Sequence, residues 1–459
     1  MRKMILLALA AVVGLCLSLP ASAAMDQGDK KFEVSGEVRV RADYSDNATD
    51  ISDSAPPLGA DDSGLIWPWR ARVGIHGSFS RNVAAHIEFQ SFGYAGDGSN
   101  GVFPLSGSSN ADLGFAGGSV DSANTHLYQG WLELGDIGGT TFDLRLGRQE
   151  LVYGNEMLLG DNDFYNGTVH DGAKAGWQYK KWSLDTFYTK FFESSAIPGG
   201  SSIFPTFQPS DDMTLAGAYA TFKGPKKIGF DAYLLQFNDG TSGAQIDDTT
   251  IGGRVYNKGT SNWAWWAELA LQSGEFDDGV TTTDLKARGF EGELAYTFRK
   301  VKVAPRVHLR YSSFTGSDDD PDEFEGFIAP FQDTHGRYGL FDLFIPTNLD
   351  VIEVGVSWNG KEDRHVFGAN VLSFTSNEET VNNANIDEDD LGSEIDLFYN
   401  YAYSKNVMIQ AAIASFSPGD VFTATLNPGG TADSSNEING NGVDDDSALR
   451  VYANTRLRW

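Results

Sequence analysis

The chain has 459 residues, with 34 Lys+Arg against 63 Asp+Glu and a formal net charge of −29. So acidic a balance excludes a nucleic-acid footprint, which needs clustered Lys and Arg, while 41% hydrophobic and 12% aromatic residues exclude a disordered acidic tail. A complement of 52 Gly beside 30 Phe, 17 Tyr and 10 Trp suits many short strands and turns, and the single Cys, Cys16, excludes a disulfide framework or a Cys-based metal site.

Arg2 and Lys3, the short apolar run from Ile5 to Leu19 and the small-x-small triplet Ala21-Ser22-Ala23 predict an export signal over residues 1–23, cut before Ala24. Cys16 follows Leu15 rather than a small residue, so no lipid anchor is expected. Residues 24–459 read as one domain, because no Pro/Gly linker interrupts the pattern. No later stretch approaches the roughly 18 apolar residues of a membrane helix. The product is therefore a secreted soluble protein or a β-barrel, whose spanning strands need only about 9–11 alternating residues.

Alternation with a period of two is clear along the chain. In 32–44, Phe32, Val34, Val38, Val40 and Tyr44 oppose Glu33, Glu37, Arg39, Arg41 and Asp43. In 69–79, Trp69, Ala71, Val73 and Ile75 oppose Arg70, Arg72 and His76. In 301–312, Val301, Val303, Val307 and Leu309 oppose Lys302, Arg306, His308 and Arg310. The last stretch sets Leu449, Val451, Ala453 and Leu457 against Arg450, Asn454, Arg456 and Arg458. Two segments, 182–192 and 228–237, carry large apolar residues on both faces. Eighteen strands are predicted, at 32–44, 66–79, 83–92, 125–134, 141–152, 170–179, 182–192, 213–222, 228–238, 250–257, 263–274, 284–298, 301–314, 349–358, 365–375, 391–402, 407–417 and 448–459.

The connections sort by length. Ser80-Arg81-Asn82, Lys180-Lys181 and Arg299-Lys300 are short and basic; the long connections, among them 45–65, 93–124, 153–169, 315–348, 376–390 and 418–447, hold most of the acid, including Asp318-Asp319-Asp320, 387–390 and Asp444-Asp445-Asp446. An even strand number with short turns on one side and long loops on the other is the plan of an outer-membrane barrel. The expected fold is all-β: a transmembrane antiparallel β-barrel of about 18 strands, with short periplasmic turns and long acidic extracellular loops. Trp459 ends the last alternating strand, as in the signal read by outer-membrane assembly machinery. Trp67, Trp69, Trp177, Tyr179, Trp182, Trp263 and Trp358 stand near strand ends, where interfacial aromatic girdles form. The acidic loops are expected to gather divalent cations that bridge to lipopolysaccharide.

No catalytic constellation stands out. His76 and Ser78 share a polar strand face without a third partner, and His86, His126, His170, His308, His335 and His365 show no metal-ligand spacing. The stretch 437–446 has the alternating oxygen ligands of a calcium loop but lacks the terminal Glu. An enzyme, a cofactor and a resident metal are not expected.

With polar faces inward, the lumen receives Arg39, Arg41, Arg70, Arg72, Arg145, Lys174, Arg306, Arg310, Arg450, Arg456 and Arg458. It also receives Glu33, Glu37, Glu88, Glu133, Asp143, Glu268, Glu291, Glu293, Glu353, Glu394 and Asp396. The first and last strands must pair to close the barrel, which gathers Arg39, Arg41, Arg456 and Arg458, with Arg70 and Arg72 beside them, into one basic wall. Such a wall either attracts anionic solute or pairs with the lumen acids and braces the barrel.

Leu146-Gly147-Arg148-Gln149-Glu150-Leu151 with Tyr153-Gly154, then Asp171-Gly172, resembles the alginate export family of outer-membrane barrels. Pro330-Phe331, His335, Gly339-Leu340, Asp342 and Asn348-Leu349 are similar to that family's late loop and following strand. Gly392, Glu394 and Asp396, with Phe416-Ser417-Pro418-Gly419, are similar to its closing hairpin. The resemblance implies a monomeric eighteen-stranded barrel that passes an anionic polysaccharide outward through an arginine-lined constriction. The acidic loops run against a dedicated polyanion exporter, so the expected function is a passive outer-membrane channel for hydrophilic solutes, anionic or saccharide ones included. A general porin, a barrel sheathing a partner in a larger envelope complex and an adhesive barrel are the other readings.

Overall fold

The computed structural model describes residues 30–46, 63–96, 124–193, 212–224, 227–240, 245–257, 261–317, 320, 322–360, 363–381, 387–421 and 447–459. The expected signal at 1–23, most of the 45–65, 93–124 and 418–447 connections, Asp318-Asp319 and the calcium-loop-like 437–446 lie outside the described residues.

The wall opens with β1 (Lys31–Asp46), β2 (Gly64–Ser80), β3 (Val83–Gly96), β4 (Asn124–Leu134), β5 (Phe142–Gln149) and β6 (His170–Tyr179). It continues through β7 (Trp182–Glu193), β8 (Asp212–Phe222), β9 (Ile228–Asp239), β10 (Gln245–Asn257), β11 (Trp263–Asp277), β12 (Thr282–Thr297) and β13 (Arg306–Phe314). A two-residue segment, β14 (Glu323–Phe324), runs parallel to β12. The wall ends with β15 (Leu349–Asn359), β16 (His365–Val381), β17 (Asp387–Ala402), β18 (Val407–Pro418) and β19 (Ala448–Arg458). Apart from β14, each strand pairs antiparallel with the next, and β19 pairs with β1, so eighteen strands close into a barrel with no free edge.

The alternation sets the faces as expected. Val38 and Val40 are 41% and 44% exposed on the outer surface, while Arg39 and Arg41 between them are 6% and 3% exposed. Phe32, Val73, Ile75, Leu269, Val354 and Ile395 continue the outer apolar band. A wall that sends such residues outward is stable only against lipid, since in water the same band is a large unburied patch.

Three expectations are corrected. The segment 301–314 is a strand only from Arg306: Pro305 has no N–H for the ladder, Ala304 takes φ +40°, and turn bonds run from Val301 to Phe298 and from Ala304 to Val301. Lys302 thus leaves the lumen face. Strand 141–152 ends at Gln149, where the chain turns into the bore. On the other side, β10 starts at Gln245 and β11 reaches Asp277, beyond the expected 250 and 274, and the 278–281 connection is a tight turn. Asp278 Oδ1 closes this turn by accepting from the N–H of Val280 and Thr281, both at 2.7 Å.

The bore has an apolar core of its own. Leu151, Met157, Leu158 and Leu159 from the β5–β6 connection meet Phe327, Phe331, Tyr338 and Phe341 from the segment before β15. Both sets pack on inward wall residues, including Phe187, Leu235, Phe237, Phe314, Phe374 and Phe416. Large apolar residues therefore stand on both faces of β7 and β9: one face meets lipid and the other meets the inward loops. A parallel bridge joins Leu159 to Phe331, and Gly160 N–H donates to the Phe331 carbonyl at 2.7 Å.

Candidate lumen-constriction site

Three adjacent strands carry the basic wall in one row. Arg39 on β1 stands opposite Arg456 on β19 and opposite Arg70 on β2. Like charges at directly opposed sheet positions repel, so the row requires an anion. The β5–β6 connection supplies it. Arg70 and Arg72 reach Asp163 Oδ1 at 2.6 and 3.0 Å, and Arg456 and Arg458 reach Oδ2 at 3.2 and 2.8 Å. Arg39 donates to the carbonyls of Asp163 and Tyr165, each at 2.5 Å. Arg72 and the Gln90 amide both donate to the Asn166 carbonyl, at 3.1 and 2.8 Å. Burial opposes ionisation of Asp163, but Arg70, Arg72, Arg458 and Arg39 outweigh it and hold the carboxyl well below the usual carboxylate range. Glu37 is the second carboxylate in this row, 2.5 Å from Arg70 and 2.7 Å from Arg458.

A second node lies one step along the bore. Asp342 accepts from Arg450 at 2.9 Å, from the Tyr165 hydroxyl at 2.5 Å and from Gly336 N–H at 3.0 Å, with His335 Nδ1 at 2.7 Å. The His335 ring stacks on Phe164 with centroids 3.3 Å apart, and its Nε2 lies 3.2 Å from the Tyr452 hydroxyl. Burial pushes the His335 imidazole down, which leaves Nδ1–H to donate to Asp342 and Nε2 to accept from Tyr452. Arg450 and Arg41 meet Asp43, both at 3.0 Å, and Arg41 lies 4.0 Å over the Phe164 ring. Both inward loops are thus anchored at the seam where the barrel closes.

Elsewhere the predicted basic residues pair with lumen acids. Arg145 meets Glu133 at 2.6 Å and covers Trp131; Lys174 meets Asp185 at 3.5 Å. Arg306 pairs with Glu293, and Arg310 meets Glu353 at 3.2 Å. These bridges brace the wall. The basic residues divide by place: paired with wall acids on β4–β7 and β12–β15, and gathered in one row at β19, β1 and β2. His76 sits against His86 and Trp131, with centroids 6.0 and 5.7 Å away.

Between the two loops and the wall lies a cavity of about 360 Å³, lined by Gly154, Asn155 and Glu156, by Asp333, His335, Gly336 and Arg337, and by Trp266 and Arg310. Glu156, Asp161 and Asp333 bring carboxylate oxygens within 4.8 Å of one another here, the geometry that can hold a cation. Burial, then repulsion by Glu156 and Asp161, pushes the Asp333 carboxyl up to about 7. Arg337 ties the loops together through the Asn155 carbonyl and pairs with Glu291 on β12 at 2.5 Å.

The motif residues launch and dock these loops. Gly147 has φ +125°, and a Cβ there would meet the Gly130 carbonyl oxygen at 2.2 Å, so only glycine fits. Arg148 and Asp171 form a cross-strand pair at 2.5 Å, and Gln149 is buried where the chain turns inward. Tyr153 stacks on Phe187 and Tyr219 and donates to Asp185 at 2.9 Å, while Gly154, with φ +65°, turns beneath Tyr219. Gly172 lets β6 approach the Tyr188 carbonyl, and Gly392, with φ +115°, sits against the Ser417 carbonyl. Glu394 Oε1 accepts the N–H groups of Leu340 and Phe341 at 2.7 and 2.9 Å, with Asp396 buried two positions on. Asp163, Arg337 and Asn155 were not predicted site residues, because their loops have no periodicity that points them inward, and Asp342 was marked only by the family resemblance.

Among solved structures, the chain resembles three, of two Pseudomonas aeruginosa proteins. OccK1 (OpdK) aligns with TM-score 0.59 at 11% identity over 93% of this chain and 99% of that one. OccK8 (OprE) aligns with TM-score 0.57 at 15% identity over 94% and 98%. OpdK with vanillate aligns with TM-score 0.57 at 11% identity over 93% and 99%. Comparison with curated proteins gives no match. These likenesses show the fold; the closed barrel and outward apolar band, with the family match that follows, place the protein in the outer membrane as a porin-type transport protein. The profile described as alginate export matches residues 95–431, and the chain belongs to that family.

Proposed function

We propose that this porin-type barrel is a passive channel for hydrophilic solutes that carry carboxylates, acidic saccharides among them. The observation that carries the reading is the charge imbalance at the seam. For five guanidinium groups, of Arg39, Arg70, Arg72, Arg456 and Arg458, the direct ion pairs among the described residues are with Glu37 and Asp163, while Glu88, Glu150 and Asp161 act on Arg72 or Arg70 from farther off. The side chains of Arg456 and Arg458 are 27% and 51% exposed to the bore, so solute reaches them. A positive row inside a low-dielectric wall concentrates anions. OpdK, a barrel of similar fold, was solved with vanillate, an organic carboxylate, which supports the reading. The apolar core in the bore comes from the chain's own loops, which weighs against a sheath around a partner protein. The barrel would act as a monomer in lipid and lipopolysaccharide, delivered by the assembly machinery through Trp459.

Planar-bilayer recordings test this. The wild type is expected to prefer anions and to be blocked by uronate oligomers. The R456Q/R458Q double variant, which spares the buried arginines, is expected to lose a severalfold share of that preference. An unchanged permeability ratio would refute the reading.

A further inference from the structure

We propose that Asp163 is a tethered carboxylate occupying the seat of a solute carboxylate, and that an anionic solute displaces it and frees the 161–168 turn from the arginine row. The inference rests on the channel reading above and adds its regulation.

In the seat, five guanidiniums share two directly paired carboxylates. Each Asp163 oxygen accepts from two guanidiniums, which saturates the group, yet Arg39 is left to two backbone carbonyls. A solute carboxylate offers the same planar pair of acceptors, so exchange conserves the strong charge-assisted bonds. The two oxygens are not equally protected. Arg70 and Arg72, on Oδ1, have side chains 1% and 7% exposed, whereas Arg456 and Arg458, on Oδ2, are at the open edge. Exchange therefore begins at Arg458 and Arg456 and proceeds inward.

The tether moves as a unit. Residues 161–168 bond among themselves: Asp163 N–H to Asp161 Oδ1 at 3.0 Å, Tyr165 N–H to the Asn162 carbonyl at 3.1 Å and Thr168 N–H to the Asp161 carbonyl at 2.7 Å. Asn162 and Gly167 have φ +48° and +87°, the left-handed corners of a compact turn. Released from the guanidiniums, this turn keeps its shape and remains attached through Tyr165 to Asp342. A polyuronate presents one carboxylate per sugar and can hold the seat as it advances, while a small organic acid supplies the same group once.

The test uses the full chain carrying N166C, reconstituted in lipid, with Cys16 lying in the expected signal. Thiol labelling at position 166 is read with trigalacturonate, benzoate at equal carboxylate concentration, or neutral maltotriose. The expected result is severalfold faster labelling with trigalacturonate and none with maltotriose. Equal acceleration by benzoate assigns the seat to carboxylates in general, and acceleration by the oligomer alone assigns it to polyuronates. In D163N, half-blocking uronate concentrations are expected to fall roughly tenfold, because the competent state no longer has to be exposed first. Labelling indifferent to uronate in a channel that still prefers anions overturns the displacement and leaves the channel reading intact. A wild type with neither anion preference nor uronate block overturns both. The labelling needs no change at Asp163, so it decides the matter even if D163N fails to assemble.

Discussion

Gly36 and Trp459 exchange two backbone hydrogen bonds, each 3.1 Å, and a Cβ at position 36 would lie 2.2 Å from the Trp459 indole. The last residue of the chain is thus seated on a position of the first strand that has no side chain, at the seam where the barrel closes. G36V is expected to expel the indole and lower the yield of heat-modifiable, folded barrel severalfold. A cold-gel mobility assay checks this, and normal assembly of G36V would show that the seam tolerates the loss.

The hold of Asp342 on the second loop makes a separate prediction. In D342A, Arg450 keeps Asp43 and the Leu340 and Phe341 carbonyls but loses the loop carboxylate, and His335 and Tyr165 lose their acceptor. Breaking a buried pair from one side costs about 3–5 kcal/mol. Protease cleavage between 325 and 348 is expected to accelerate strongly while the wall stays intact.

Phe331 is the apolar counterpart. It is 3% exposed, bridges to Leu159 and stands edge-on to Phe237 and His170. F331A is expected to weaken docking of both loops by about 3–5 kcal/mol, read as raised hydrogen exchange over 151–160 and 325–345.

Asp333 makes docking sensitive to pH. Glu156 and Asp161 from the facing loop repel it, and Arg337 opposes them. Its docked pKa, about 7, lies above the ordinary value of 3.8. A carboxyl raised on docking favours the docked state while protonated and penalises it once ionised, so docking weakens as pH rises toward and through about 7. Conductance is expected to rise between pH 5.5 and 8 in the wild type and to be flat in D333N. Asp163 has the opposite sign: its carboxyl is lowered, so its contribution is present above the ordinary carboxylate pKa and lost only in acid.

The wall was legible in the sequence because a membrane strand has one simple constraint: Val38 faces lipid, so Arg39 faces the bore, and the rule repeats every second residue. The basic row followed once β1 and β19 had to meet. Asp163 was not legible. Arg39 reaches the Tyr165 carbonyl across 126 positions, and Arg458 reaches Asp163 across 295. No local pattern encodes such a pairing, because an irregular loop satisfies its backbone on whatever wall it meets. The apolar residues on both faces of 182–192 and 228–237 were the one local trace of the inward loops, since a strand lining open water would not carry Phe187, Leu235 and Phe237 toward the bore.

The Leu159–Phe331 bridge has a consequence for biogenesis. All of β6 to β13 lies between its two ends, so these segments can meet only after that stretch of wall has curved into place. The inner lining thus closes over a wall already curved, and its contacts belong to the last part of the fold to be completed.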